Sequence, residues 1–399
     1  MLQEISFYND EVFITVPRLE RGVPSTLNIV LTSRIDGVSP VLKPIPSLEY
    51  NTLGDCNALQ SVHGMEIDHN TGMMWAIDAG RALSSLPSAD QIRCPAKIVV
   101  FDMKNLREHA RYVFPTNVVD SNSSLLGRMV LGYEQGQNLT HVYIVDISKG
   151  IVVYNIIANT SHRHEDSASM QTNEGVSIPV DGILLNSTVN LNSLAISSDF
   201  KYVYFSSLSG VKLYQVPASA LNDPNTNIGN HIRLVGSKPA NSAGMFYATK
   251  NLYFGGLGRD NLYRWRVSED VNTTEGEVTM NTVEEVAQHS SRFSWVESMS
   301  TGASQSLHIT VSNRGRMSLN MIDFSNPDPN FFVLKCRIGE KGYLSSVTLP
   351  AVNITPVIPG VCVLLGSTER QESASVLVWR NSTYAHIALL VLLCHFTIR

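Results

Sequence analysis

Ready-made chemistry is scarce in this sequence. Its five cysteines, Cys56, Cys94, Cys336, Cys362 and Cys394, form no CxxC pair and no finger spacing, which leaves zinc without a ligand set. There is no G-x-S-x-G elbow, no H-E-x-x-H and no phosphate loop, and so no signature of a serine hydrolase, a zinc protease or a nucleotide-binding enzyme. The cluster His162, His164 and Glu165 in "HRHED" reads as a solvated loop rather than a metal site. Positive charge is short as well: 30 Lys and Arg face 35 Asp and Glu, a net charge of −5 with no basic block. That is the wrong footprint for nucleic acid, while a mildly acidic surface suits small cationic ligands.

Long apolar runs are also missing. The stretch from Ala385 to Phe396 carries His386 and His395 and falls short of the ~20 residues that span a bilayer. It reads either as the hydrophobic tail of a lipid-anchor signal, with Ser373, Ala374 and Ser375 as the attachment region, or as a disordered tail. "MLQEISFYND" lacks the basic start and apolar core of a signal peptide. N-x-S/T sequons begin at Asn122, Asn138, Asn159, Asn186, Asn272, Asn353 and Asn381. Their number is close to what chance gives a chain this rich in Asn, Ser and Thr, so alone they do not imply secretion.

What the chain does have is a repeat. A hydrophobic stretch ending in small or polar residues recurs at "EVFITVPR", "MMWAIDAGR", "HVYIVDISKG", "KYVYFSSLSG", "KNLYFGGLGRD" and "SLHITVSNRGR", centred on Phe13, Trp75, Tyr143, Tyr204, Tyr253 and His308. Each is followed by a second apolar stretch, "TLNIVL", "AKIVVFDM", "IVVYNII", "VKLYQV", "NLYRWRV" and "LNMIDF", usually across a turn former, which predicts a hairpin. Intervals of 49 to 68 residues leave room for four short strands per unit. The expected fold is therefore all-β, a six-bladed β-propeller over residues 1–345, with the repeated strand innermost in each blade. Residues 346–399 are expected to be a poorly structured tail with a hydrophobic segment. A β-sandwich or two unrelated β domains would not produce six similar hairpins.

Several segments, in order, resemble the yellow and major royal jelly protein family. They are "FITVPRLERGVPSTLNIV", "CNALQSVHGMEID", "MMWAIDAGR", "CPAKIVVFDM", "GIVVYNI", "SLAISSDFKYVYFSSLSGVKLYQVPASAL", "SAGMFYATKNLYFGGLGRDNLYRW" and "DPNFFVLK". The likeness runs from residue 11 to about 340. It implies a secreted, disulfide-bearing, glycosylated six-bladed propeller; "HRHED" stands where the family has an aromatic-basic stretch. Cys56 and Cys94 sit where the family has cysteines, which implies a disulfide between them or with a family position missing here. Cys336 and Cys362 are a second candidate pair.

In a propeller, functional residues are expected on loops and strand ends that open on the axis. In the register three residues after each repeat centre stand Val16, Asp78, Asp146, Ser207, Gly256 and Val311. Asp78 and Asp146 are candidates to hold an ammonium, set against a plain backbone-bonding role at strand ends. Relatives in insect saliva bind biogenic amines through residues of the last blades. By resemblance the matching neighbourhood is Thr310, Ser312 and Asn313 on the last repeated strand, with Asn330 and Phe332. A calcium site would draft Glu66, Asn192 and Asp78, although these fit plain strand entries equally well.

The expected function is binding of a small aromatic ligand, a catechol or indole amine, without covalent chemistry, cofactor, metal or nucleic-acid partner. The membrane enters only through the lipid-anchor reading, and the expected location is extracellular or on the cell surface. The alternatives are an enzyme converting dopachrome in pigment formation, as the resemblance implies for some relatives, and a structural or nutritive extracellular protein.

Overall fold

The computed structural model describes residues 2–20, 22–31, 41–82, 93–134, 138–172, 177–180, 183–186, 188–271, 278–289, 293–302, 305–312, 331–346, 362–364 and 389–391. Six antiparallel sheets, each begun by four consecutive strands, make six blades. Blade one contains β1 (Ile5–Tyr8), β2 (Glu11–Thr15), β3 (Leu27–Leu31) and β4 (Val41–Pro44). Blade two contains β5 (Val62–Asp68), β6 (Met73–Asp78), β7 (Lys97–Asp102) and β8 (Arg107–Val113). Blade three contains β9 (Leu126–Glu134), β10 (Asn138–Asp146), β11 (Gly150–Asn155) and β12 (Thr160–His164). After a small hairpin, β13 (Ile178–Val180) and β14 (Ile183–Leu185), blade four contains β15 (Leu191–Ile196), β16 (Tyr202–Ser207), β17 (Lys212–Pro217) and β18 (Arg233–Ser237).

Blade five contains β19 (Met245–Tyr247), β20 (Leu252–Gly256), β21 (Asn261–Trp265) and β22 (Val283–Gln288). Blade six contains β23 (Val296–Thr301), β24 (Ser306–Ser312), β25 (Phe331–Arg337) and β26 (Cys362–Leu364), and β27 (Leu389–Val391) pairs parallel to β25. Blade six thus takes short strands from beyond residue 345. Among the described residues no helix is long and apolar enough to cross a membrane.

Two expectations change. The repeated strand is not the innermost one: β2, β6, β10, β16, β20 and β24 stand second in their sheets. The axis is ringed by β1, β5, β9, β15, β19 and β23, which touch their neighbours around the circle. The physical reason lies in burial. A second strand has a strand on either edge and a blade on either face, so it is nearly all buried, as in "YVYFSS" and "SLHITVS", and both its faces favour apolar residues. The inner strands have one edge on the axis and mix polar with apolar residues, so their pattern is weaker. The second change is in blade six. "LNMIDF", at 319–324, lies outside the described residues, and the hairpin partner of β24 is β25.

Inner strands start on one face of the ring, here called upper, where second strands end, and they finish on the lower face. Apolar clusters fill the spaces between blades: Phe13, Met74 and Phe101 between blades one and two, Tyr204, Phe254 and Trp265 around blades four and five. Close to the axis the backbones nearly touch. A Cβ on Gly64 would lie 2.5 Å from the carbonyl oxygen of Gly127, so only glycine lets β5 approach β9. Among the described residues no strand is shared between the first and sixth sheets. Leu2, Ile5, Phe7, Phe331 and Val333 pack across their seam, Phe7 stacks on His308 with ring centroids 3.7 Å apart, and Ile5 N–H donates to Ser298 Oγ at 3.1 Å.

Candidate functional site

The upper rim is occupied by its own side chains. Asp78, at the end of β6, is fully buried. Its Oδ2 pairs with Lys97 Nζ at 2.8 Å and accepts from Gln60 N–H at 2.8 Å; its Oδ1 accepts from the N–H groups of Ser61 and Gly80 at 2.8 and 3.0 Å. Lys97 completes its three donors on the carbonyls of Cys56 and Ala58, at 3.2 and 2.9 Å. Cys56 and Cys94 are joined by a disulfide, so the same loop is tied covalently and by charge. Asp146, at the end of β10, pairs with Arg163 Nη1 at 2.6 Å and accepts from Leu125 and Ser148 N–H. Both aspartates therefore hold backbone at strand ends, each with a resident cation.

The last-blade candidates are also on the upper side. Thr310 is buried and exchanges a hydrogen bond with Ser298 Oγ at 2.9 Å. Ser312 donates to Glu297 Oε2 at 3.4 Å, and Phe332 is buried on β25. Asn313 and Asn330 lie outside the described residues. His162 and His164 both turn Nε2 to the carbonyl of Leu221, at 2.8 and 3.0 Å, while Glu165 is exposed. Asn192 donates to Ala243 O and does not meet Asp78. Among the described residues no three His, Cys, Asp or Glu side chains converge as a metal site. Asn122, Asn138, Asn159 and Asn186 are exposed, whereas Asn272, Asn353 and Asn381 lie outside the described residues. Cys336 is disulfide-bonded, and β26 places Cys362 opposite it in the ladder.

The axis itself carries charges that motif reading passed over. Arg128 on β9 reaches across to blades one and six. Its Nη1 meets Glu4 Oε1 at 2.6 Å, and its Nη2 meets the Glu297 backbone carbonyl and, at 3.5 Å, Glu297 Oε1. Glu4 is pushed up to about 7 by burial, with Arg128 opposing and Glu297 adding to the rise. Below this knot a cavity of about 30 Å³ touches Glu4, Glu66, Arg128 and Tyr343, which is room for water.

The lower mouth is hollow. A cavity of about 230 Å³ lies between Glu66, Ile67, His69, Phe246, Thr301 and the segment 341–345. That segment is a strap. Glu340 fixes it to blade five by accepting from Lys250 N–H at 2.9 Å and Tyr253 O–H at 2.8 Å. Asn70 Nδ2 donates to Leu344 O at 2.8 Å, and Ser346 Oγ donates to Ser198 O at 2.8 Å. Tyr343 turns inward from the strap: its O–H donates to Glu66 Oε2 at 3.2 Å, and its oxygen accepts Leu131 N–H at 3.1 Å.

Glu66 and Tyr343 line both cavities. Glu66 keeps part of its surface accessible although protein surrounds it. Burial pushes its carboxyl up to about 8; the Tyr343 hydrogen bond opposes this, and the charges of Glu4 and Asp68 add to it. A signal for this site was present in the sequence: "HGMEID", "LGRMVLGY" and "SWVESMS" place Glu66 and Asp68, Arg128, and Glu297 just before a repeated strand.

The six-bladed propeller is knotted above and hollow below, with a carboxyl facing the hollow. The chain belongs to the major royal jelly protein family, whose model matches residues 60–341. Major royal jelly protein 3 of Apis mellifera is 24% identical over 59% of this chain and 42% of its own. A dopaminechrome tautomerase of Drosophila melanogaster is 31% identical over 40% of this chain and 34% of its own. Protein yellow of Drosophila melanogaster is 27% identical over 40% of this chain and 29% of its own. The chain thus spans less than half the length of these relatives.

Proposed function

We propose that this propeller is an extracellular binder of a small aromatic amine, held in the lower axial cavity with its ammonium toward Glu66 and its ring toward Phe246 and Tyr343. One observation carries the reading: a hollow of about 230 Å³ is faced by an enclosed carboxyl whose only side-chain partner among the described residues is a tyrosine hydroxyl. A carboxylate in such a place pairs strongly with an ammonium, and aromatic walls suit a ring. The upper rim offers less, because Asp78 and Asp146 already hold cations. The Cys56–Cys94 bond suits an oxidising compartment.

Calorimetric titration with dopamine, serotonin and histamine is the test. Heat that saturates with a 1:1 stoichiometry and is lost in Glu66→Gln is expected, and silence at millimolar ligand overturns the reading.

A second reading, conversion of a dopachrome-type compound, is favoured by the same carboxyl. Glu66 holds its proton near neutrality, as an acid catalyst must, and a relative is named dopaminechrome tautomerase. Decay of dopaminechrome absorbance no faster than with heat-killed protein removes it. A structural or nutritive role would need only the filled upper axis and gives no account of the hollow.

A further inference from the structure

We propose that the lower cavity is a proton-for-ammonium exchange site, in which a ligand's ammonium settles against Glu66 only as the carboxyl releases its proton to solvent. This rests on the amine-binding reading above and adds to it how the site is controlled. The exchange balances: the neutral acid and the organic cation become a carboxylate–ammonium pair, and one proton passes to the buffer.

The geometry follows from what surrounds Glu66. Among the described residues its only side-chain hydrogen bond comes from Tyr343, and no lysine, arginine or histidine forms an ion pair with it. The neighbouring ions are mostly of its own sign, Glu4 from the segment before β1 and Asp68 from β5. Arg128, from β9, is already committed to Glu4 and Glu297. β15, β19 and β23 contribute Leu194, Phe246 and Met299, which do not ionise, and Tyr247, whose phenol burial keeps neutral. At the lower cavity His69 is held below its usual range by burial, so it is neutral at pH 7, and Lys341 stands on the strap. An empty cavity therefore holds a neutral acid, and only an incoming cation makes the carboxylate favourable. A neutral ligand of the same shape gains nothing from ionising Glu66.

The test is titration calorimetry of the full chain with phenethylamine and serotonin from pH 6 to 9, each in phosphate and in Tris, with 2-phenylethanol as the uncharged counterpart. Since an alkylammonium titrates near ~10 and Glu66 at about 8, the amine Kd is expected to fall about tenfold per pH unit up to pH 7.5 and to level off above 8. The two buffers should report close to one proton released at pH 6.5, and 2-phenylethanol should show neither effect.

Glu66→Gln should bind the amines more weakly, with a flat pH profile and no proton release. Tyr343→Phe removes the side-chain donor that favours the carboxylate and leaves the Ile67 backbone N–H in place, so it should move the levelling point to higher pH. Amine binding with a flat Kd and no proton release overturns the exchange and leaves the binding reading standing. Proton release that persists in Glu66→Gln and vanishes in Glu4→Gln assigns it to the wrong carboxyl and also overturns the proposal. Absence of any amine binding removes both readings.

Discussion

The two ends of the axis solve opposite problems with the same residue types. At the upper end each described buried acid has a cation: Lys97 for Asp78, Arg163 for Asp146, and Arg128 for Glu4 and Glu297. At the lower end Glu66 has a phenol and open space. A paired buried charge is costly to disturb, because removing one partner strands the other in a low-dielectric interior. An unpaired one sheds its charge and becomes responsive to whatever arrives. The upper end therefore holds the fold together, and the lower end is the place the proposed ligand would act on.

Breaking the upper end should produce the largest effects. Arg128→Met leaves two carboxylates without their guanidinium and should cost about 3–5 kcal/mol, read as a fall in the urea midpoint; a loss below about 1 kcal/mol would show that the knot is not what holds the ring. Asp78→Asn, which isolates Lys97, should come close behind by the same measurement. Next is the double variant Cys56→Ala/Cys94→Ala, which opens a loop with a sequence separation of 38 and should lower stability by about 2–4 kcal/mol. Reducing agent should then have no further effect at this bond.

The lower end gives an effect that is graded along pH. The folded carboxyl of Glu66 titrates near 8 against an ordinary value of 4.5. Between those pH values the folded chain keeps a proton that the unfolded chain has lost. Stability therefore falls as pH rises through this window, by at most about 1.4 kcal/mol per pH unit from this group. Glu4, raised to about 7, acts in the same direction. Glu66→Gln should gain on the wild type as pH climbs from 5 to 8 in thermal melts, and parallel curves would refute it. Smallest of all, Ser312→Ala removes a 3.4 Å hydrogen bond to Glu297 and should change stability by less than about 1 kcal/mol.

This division explains how much could be read from the sequence. The six repeats were legible because β6, β10, β16 and their counterparts are buried on both faces, so their composition is constrained throughout. Their position in the blade was not, since strand order within a sheet leaves no mark on a strand that is covered on all sides. Asp78 and Asp146 stood out by register, and the alternative of backbone bonding at strand ends describes what they do. The axial charges were harder to see. Arg128 meets Glu4 and Glu297 across 124 and 169 residues, and local spacing carries no trace of contacts made only when the ring closes. Tyr343 is harder still, because its role depends on where a strap happens to cross.

The seam between blades one and six has a mechanical consequence. Each sheet begins with consecutive strands, so the circle resembles a split washer, continuous everywhere except at one cut. Around most of the ring, separating neighbours strains a covalent link, but among the described residues the cut is held by side-chain packing, the Ile5–Ser298 hydrogen bond and the grip of one guanidinium. Thermal breathing should be widest there. Amide exchange at Ile5 and Ser298 should outpace exchange at matching depths of β5, β9 and β15, and the ring should first part between its oldest and newest blades in order of synthesis.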